Sequence, residues 1–256
     1  MSVQAMGKRS LPKKLSNDAI IEAVLEIRFN HDPKRVSEVF LGKIALKEEW
    51  QLFENSRTPI ADIPENIRRT QADLRHAPVF VMTSPSGEIQ VQVGPQVFIY
   101  SRRGTYPGWD SALWPELDSA IDHLFTTSPN LDVTRLGLRY INALRSDVHG
   151  ISGIDDIALN LEVASKSVTK NLNCNFGSRV GTDFETMTRV ATVDLAQGII
   201  PENTSVIVDI DVYTSSAYRA NSANSIKEWA IAAHDFEKES FFEILGDVAT
   251  ERLRED

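Results

Sequence analysis

The chain reads as an α+β fold in which curved antiparallel sheet packs on long helices, and three observations predict this. Segments of two-residue alternation such as "EIQVQVG" recur in meanders and mark strands with one buried face. Two stretches, one near the middle and one at the end, carry apolar residues at helical spacing instead. A short phrase, Leu-x-aliphatic-Arg-aromatic, also occurs twice, at residues 25–29 and again 111 positions later at 136–140.

Taken in order, "AIIEAVLEIRFN" is the opening strand: Ala23, Leu25, Ile27 and Phe29 point one way, and Glu22, Val24, Glu26 and Arg28 the other. Asp32 then offers an N-cap and Pro33 an N1 residue, so a helix follows through Val36, Val39, Phe40 and Ile44 towards Trp50. "SRTPIADIPENIRRT", with two prolines and weak periodicity, reads as a connecting loop. "APVFVMTS", "EIQVQVG" and "QVFIYSRR" form a meander, with Pro85 and Gly87 supplying the first turn. "GWDSALWPELDSAIDHLFTT" is a helix presenting Leu113, Leu117, Ala120, Ile121 and Leu124, and Pro115 either kinks it or marks its first turn.

The second half opens with "VTRLGLRYINALRS" as a strand and continues with "ISGIDDIALNLEVA" as a short helix. "TKNLNCNFGS", "FETMTRVATVDLA" and "TSVIVDIDVYTS" are three further strands. The last helix groups Trp229, Ala230, Ala233, Phe236, Ile244 and Val248. Both halves thus follow the order strand, helix, three strands, helix. Residues 17–130 and 131–256 are expected to be two duplicated halves packed as one unit, behind a disordered basic leader at 1–16. Two such sheets would join into one saddle, analogous in architecture to helix-grip or TATA-binding-protein-like folds. That analogy carries no function.

Composition narrows the function classes. With 42% hydrophobic and 25% charged residues, the chain has the make-up of a soluble globular protein. Its apolar runs fall far short of the roughly 20 residues that span a bilayer, and the basic N-terminus lacks the apolar segment of a secretory signal. The lone Cys174 excludes an intrachain disulfide and suits a cytoplasmic location. Net charge is −9; with Lys8, Arg9, Lys13 and Lys14 of the leader set aside, the remainder stands at −13. A body this acidic speaks against broad contact with nucleic-acid phosphates.

The candidate chemistry gathers on "RLGLRYINAL". Alternation places Arg135, Gly137, Arg139, Ile141 and Arg145 on one face and Leu136, Leu138, Tyr140, Asn142 and Leu144 on the other. Arg135 and Arg139 lie roughly 13 Å apart along the strand. They read either as an anion-binding stripe or as a salt-bridged sheet face. Arg28 is the counterpart of Arg139 in the first half, so the pair would border a central groove, with Tyr140 and Asn142 as further ligand-binding candidates. Asn142, among apolar neighbours, must find hydrogen-bond partners; bonding to a neighbouring backbone is the plainer account. Asp209 and Asp211 share a face of "VIVDIDVYT", where they would hold a divalent cation, with Asp194 joining, or pair across strands with Arg135, Arg139 or Arg189. The five histidines are scattered, and His234 reads as a packing residue. The aromatics of "YPGWDSALW" could stack a ligand, but Trp109 and Trp114 read as core anchors. No nucleophile elbow, Walker loop or dinucleotide fingerprint occurs, so no cofactor is expected.

The stretches "AIIEAVLEIRF" and "RLGLRYINAL", the Tyr106-x-x-Trp109 spacing and "AHDFEKESFFEILGD" together resemble a family of sporadically distributed bacterial proteins of about this length. The resemblance covers nearly the whole chain and brings no catalytic residues with it. The family's patchy occurrence implies accessory roles such as phage defence or toxin neutralisation. The expectation is a non-enzymatic cytoplasmic binding protein engaging a protein partner through its acidic surface. The alternative is a domain binding a small anionic molecule or nucleotide, with metal-assisted hydrolysis by Asp209 and Asp211. Neither nucleic acid nor membrane is an expected partner.

Overall fold

Leu25, Ile27 and Phe29 alternate with Glu26 and Arg28 along β1 (Ile20–Asn30), and only the first set is fully buried. That alternation is the organising fact of the structure, a computed structural model that describes residues 11–12, 15–30, 33–44, 47–180, 184–193 and 200–254. After β1 come α1 (Pro33–Ile44), β2 (Glu54–Arg57), α2 (Glu65–Thr70), α3 (Ala72–Arg75), β3 (Phe80–Thr83), β4 (Ile89–Gly94), β5 (Val97–Arg103) and α4 (Trp114–Thr127). The chain continues through β6 (Asp132–Arg145), the small hairpin β7 (Glu162–Val163) and β8 (Lys166–Ser167), then β9 (Asn173–Val180), β10 (Phe184–Thr192), β11 (Thr204–Tyr213) and α5 (Ala223–Leu253).

Nine strands form one antiparallel sheet in the order β2-β3-β4-β5-β1-β6-β11-β10-β9. At its centre Leu25 stands opposite Leu138 and Ile27 opposite Leu136. Outward from β1 run β5, β4 and β3, and outward from β6 run β11, β10 and β9. One parity of side chain across the sheet, including Val91, Phe98, Tyr100 and Ile210, joins Phe40 of α1, Leu117 and Ile121 of α4, and Ala230 and Ala233 of α5 in a single core. Side chains of the other parity, such as Val97 and Ile207, are buried outside that core. The α+β architecture with a large antiparallel sheet and a long C-terminal helix is therefore as expected. None of the helices among the described residues is long and apolar enough to cross a membrane.

Several expectations are corrected. "SRTPIADIPENIRRT" is not a plain loop: it pairs β2 on the sheet edge and continues through a 3₁₀ turn (Pro59–Asp62) into α2. Its two prolines sit at helix starts, where a missing N–H costs nothing. Pro115 likewise lies in the first turn of α4, after a wide π turn over Trp109–Leu113. "ISGIDDIALNLEVA" holds only a three-residue 3₁₀ turn (Ile154–Asp156) and half of the β7–β8 hairpin. Gly150, at φ +63°, and the extended Gly153 interrupt any longer helix, while Ile151, Ile154 and Ile157 are still buried. The second half thus lacks the early helix that the first half has. Leu11 and Leu15, placed by expectation in a disordered leader, pack against the core, and the Ser16 N–H donates to the Leu253 carbonyl at 2.9 Å. Residues 1–10 and 13–14 of the leader, the expected N-cap Asp32 and Asp194 lie outside the described residues.

Helix α5 departs from its apparent periodicity at one point. Gly246 adopts φ +80°, a conformation that breaks the helical phase. Before it Phe241, Phe242 and Leu245 are buried; after it Ala249, Thr250 and Leu253 are, leaving Val248 76% exposed. A Cβ on Gly246 would approach the Ala158 Cβ to 2.8 Å. Gly246→Ala is therefore expected to cost about 1–3 kcal/mol in urea denaturation. Gly42→Ala in α1, where an added Cβ meets nothing within 4 Å, should gain about 0.5–1 kcal/mol.

Candidate functional site

The four residues singled out on the central strands part company in the structure. Arg28 and Arg139 project from the outer face of the sheet, and Tyr140 and Asn142 from the face that meets the helices. They cannot line a single groove. On the outer face Arg28 pairs with Glu26 of its own strand (Nε–Oε1 2.8 Å), and Arg135 pairs with Glu26 and with Asp211 (3.3 Å). Arg139 makes a bidentate pair with Asp209 at 2.7 and 2.6 Å, and Asp209 is only 7% exposed. Gly137 explains its place between the arginines: a Cβ there would lie 2.9 Å from Arg135 Nη1, so the guanidinium crosses towards Glu26 above a bare backbone. Three arginines meet three carboxylates, the salt-bridged account of this face. The same pairs engage Asp209 and Asp211. Among the described residues no group of three or more His, Cys, Asp or Glu is placed to hold a metal ion.

A different arrangement lies at the end of the sheet where β1 begins. A cleft of about 870 Å³ is bordered by the stretch Ser16 to Glu22, the loop Arg103 to Tyr106, and Ala143, Arg145, Val148 and Pro201. Behind it lies a smaller chamber of about 110 Å³ whose walls include Pro12, Leu15, Tyr106, Trp109, Tyr140, Asn142, His234, Glu237, Lys238 and Phe241. Asp18, Ala19, Ile20 and Tyr106 border both hollows. The outer volume lies within the range of small-molecule sites.

Local backbone features position these groups. The pairing of β1 with β6 slips between Ile20 and Glu22, a bulge of the kind that re-aims side chains beside a site. Gly104 and Gly108, at φ +84° and +93°, turn the loop that carries Tyr106. The π turn then delivers Trp109, whose ring stacks on His234 at 3.9 Å and 2°. Ile226, Ala230, Ala233, Glu237 and Phe241 form the buried stripe of α5, so Glu237 occupies a core position. Asn142 Nδ2 donates to the Val208 carbonyl at 3.2 Å, the plainer account, while its side chain also lines the chamber.

Electrostatics set the chamber apart. Glu237 is 3% exposed, and its Oε1 has no hydrogen-bond partner; burial raises its carboxyl well above the usual range and so favours the protonated form. Burial, with the charge of Lys238 beside it, lowers His234 to about 4 and leaves the imidazole neutral. The Tyr140 hydroxyl is hydrogen-bonded to His234 Nδ1 at 3.1 Å, and burial raises this phenol far above its ordinary range. The buried Tyr106 hydroxyl lies beside that of Tyr140 and interacts with it, and the two rings meet edge to face at 6.2 Å. The chamber therefore offers a carboxyl whose charged form burial disfavours, two phenols and a neutral imidazole, all suited to hydrogen-bonding a polar group shielded from water. Reading the sequence raised the aromatics of "YPGWDSALW" only as a group and missed Glu237; His234 is a packed and satisfied residue, stacked on Trp109 and bonded to Tyr140, that also lines the chamber. The available signal was a glutamate on the apolar stripe of α5.

No protein-family model and no curated protein matches the chain. Among solved structures, it is similar to the duplicated taurocyamine kinase from Schistosoma mansoni, both substrate-free and with bound transition-state-analogue components. Identity is 12% and the TM-score 0.36 in each case, over 91% of this chain. The chain spans about a third (34%) of the kinase's length.

Two predictions follow from these environments. Arg139→Ala leaves a nearly buried carboxylate unpaired and, with Arg139 itself 45% exposed, should cost about 1–2 kcal/mol, whereas the double variant with Asp209→Ala should cost less than the single one; urea denaturation of the four-member cycle reads both. The chamber's two titrations have opposite signs. Glu237 keeps its proton on folding, so its stabilising contribution is full below its ordinary value of 4.5 and is lost as pH rises towards the folded value. His234 contributes fully above 6.5, and that contribution is lost as pH falls towards about 4. Stability measured against pH should thus lose its alkaline decline in Glu237→Gln and its acid decline in His234→Phe.

Proposed function

We propose that this protein is a binding protein for a small organic molecule. The ligand's polar end enters the chamber under α5 and its remainder occupies the adjoining cleft. The observation that carries this reading is the Glu237 carboxyl, nearly fully buried and without a partner at Oε1, in a hollow lined by Tyr106, Tyr140, Asn142 and His234. Buried polar groups are ordinarily satisfied, and one left open in a cavity is a place for a ligand to complete the bonding. The reading keeps Tyr140 and Asn142 as binding residues and sets aside Arg28 and Arg139, whose charge is already matched by carboxylates. A hollow between a long helix and an antiparallel sheet supports the helix-grip analogy. The mirrored strand order about Glu26 and its partner Gly137 supports internal duplication.

A second reading, engagement of a basic protein partner as an antitoxin or defence-system accessory in the bacterial cytoplasm, draws support from the net charge of −9. Phe176 and Met187, exposed on the edge hairpin of β9 and β10, add apolar contact. The two readings part under one experiment. Thermal unfolding against a metabolite library should reveal compounds that raise Tm, and those shifts should shrink in Tyr106→Phe and in Asn142→Ala. A library with no stabilising compound, or shifts indifferent to both substitutions, rejects the small-molecule reading. Salt-sensitive association with a captured protein, weakened by replacing Phe176 and Met187 with serine, would favour the second.

A further inference from the structure

The chamber's chemistry narrows the class of occupant. Three aromatic side chains, Tyr106, Trp109 and Tyr140, line the same small space as the unpartnered Glu237 carboxyl. Aromatic rings attract cations through their quadrupole, and a buried carboxyl is best satisfied by a positively charged donor. The charged and titratable groups facing Glu237 are Asp18 from the segment before β1, Tyr106 from its loop, Tyr140 from β6, and His234 and Lys238 from α5 itself. Neutral His234 adds no charge, and Asp18 and Lys238 carry opposite signs. An anion would leave Glu237 in its protonated form and would meet Asp18 nearby. A cation instead turns Glu237 into the carboxylate it is elsewhere in proteins. A chamber of about 110 Å³ has room for a head of only a few heavy atoms.

We propose that the inner chamber receives the ammonium head of a small amine, with Glu237 as its counter-ion and the Tyr106 and Tyr140 hydroxyls as hydrogen-bond partners. This deepens the small-molecule reading and rests on it. The proton balance is explicit: the amine arrives as ammonium, and below the folded pKa of Glu237 the carboxyl gives its proton to solvent, one for each complex formed. No covalent bond is made or broken beyond that O–H. Phe241 and Asn142 close the chamber around the head, and the alkyl remainder lies toward the cleft.

Isothermal titration with n-propylammonium, propionate and 1-propanol tests this, because the three are alike in size and differ in charge. The ammonium should bind at least about tenfold more tightly than either counterpart, about one charge-assisted bond's worth. Repeating the titration in buffers of different ionisation enthalpy should show about one proton released, and affinity should rise about tenfold per pH unit below the folded pKa of Glu237. Glu237→Gln, which keeps the shape and the fold, should abolish the preference for ammonium and the proton release together. Equal or tighter binding of propanol or propionate, binding of none of the three, or an ammonium preference that survives Glu237→Gln overturns the inference. The wider reading is judged separately, since stabilising neutral or acidic compounds from the library would leave it standing.

Discussion

The antiparallel pairing of β1 with β6 determines where every other group in the molecule ends up. Because side chains alternate along a strand, the register that sets Leu25 against Leu138 also commits Glu26, Arg28, Arg135 and Arg139 to the opposite face. A slip of one residue would exchange core and surface along both strands. The outer-face ion pairs act on this constraint directly: Arg135 links Glu26 of β1 to Asp211 of β11, and Arg139 ties β6 to β11 through Asp209. Exposed pairs contribute little alone. Here Asp209 is nearly buried, and a shifted register would leave its charge stranded.

The two faces of the sheet therefore handle polarity in opposite ways. Outside, cations and carboxylates answer each other, and bare Gly137 makes room for them to do so. Inside, the polar groups of the chamber answer each other only in part: Tyr140 meets His234 and Tyr106, while Glu237 Oε1 meets nothing. A core carboxyl that neither folds away nor pairs is costly. Departures of that kind from a self-consistent interior are where function is expected.

Much of the architecture was legible because it rests on periodicity. Strict alternation announced β1, β4 and β6 and the face each side chain takes, and Pro115 marked the start of α4. What escaped depended on contacts between distant segments. "ISGIDDIALNLEVA" has its isoleucines at helix-like spacing, yet the segment is irregular, with the Ala158 N–H donating to the Ile244 carbonyl at 2.8 Å. Val248 looked like core until Gly246 reset the phase of α5. At the site, Asn142 stood out as a polar residue on an apolar face, whereas Glu237 passed as one more acid in "AHDFEKES". Its burial becomes visible only when Ile226, Ala230, Ala233 and Phe241 are set on one stripe. Arg28 and Arg139 drew attention through composition, but their partners Glu26 and Asp209 are decided by register.

The contact of Ser16 with Leu253 bears on how the molecule comes into being. Those residues are 237 positions apart, and Leu15, beside Ser16, is one wall of the chamber. Closing so long a loop is among the last events a chain can complete, since its entropy is recovered only once the intervening sheet and helices already stand in place. The nine-stranded scaffold can thus be largely formed while the chamber is still open at that wall. On the proposed small-molecule reading, competence to hold a ligand is then acquired at the final step of folding, and is the first property to be lost when the region around Leu15 and Leu253 loosens.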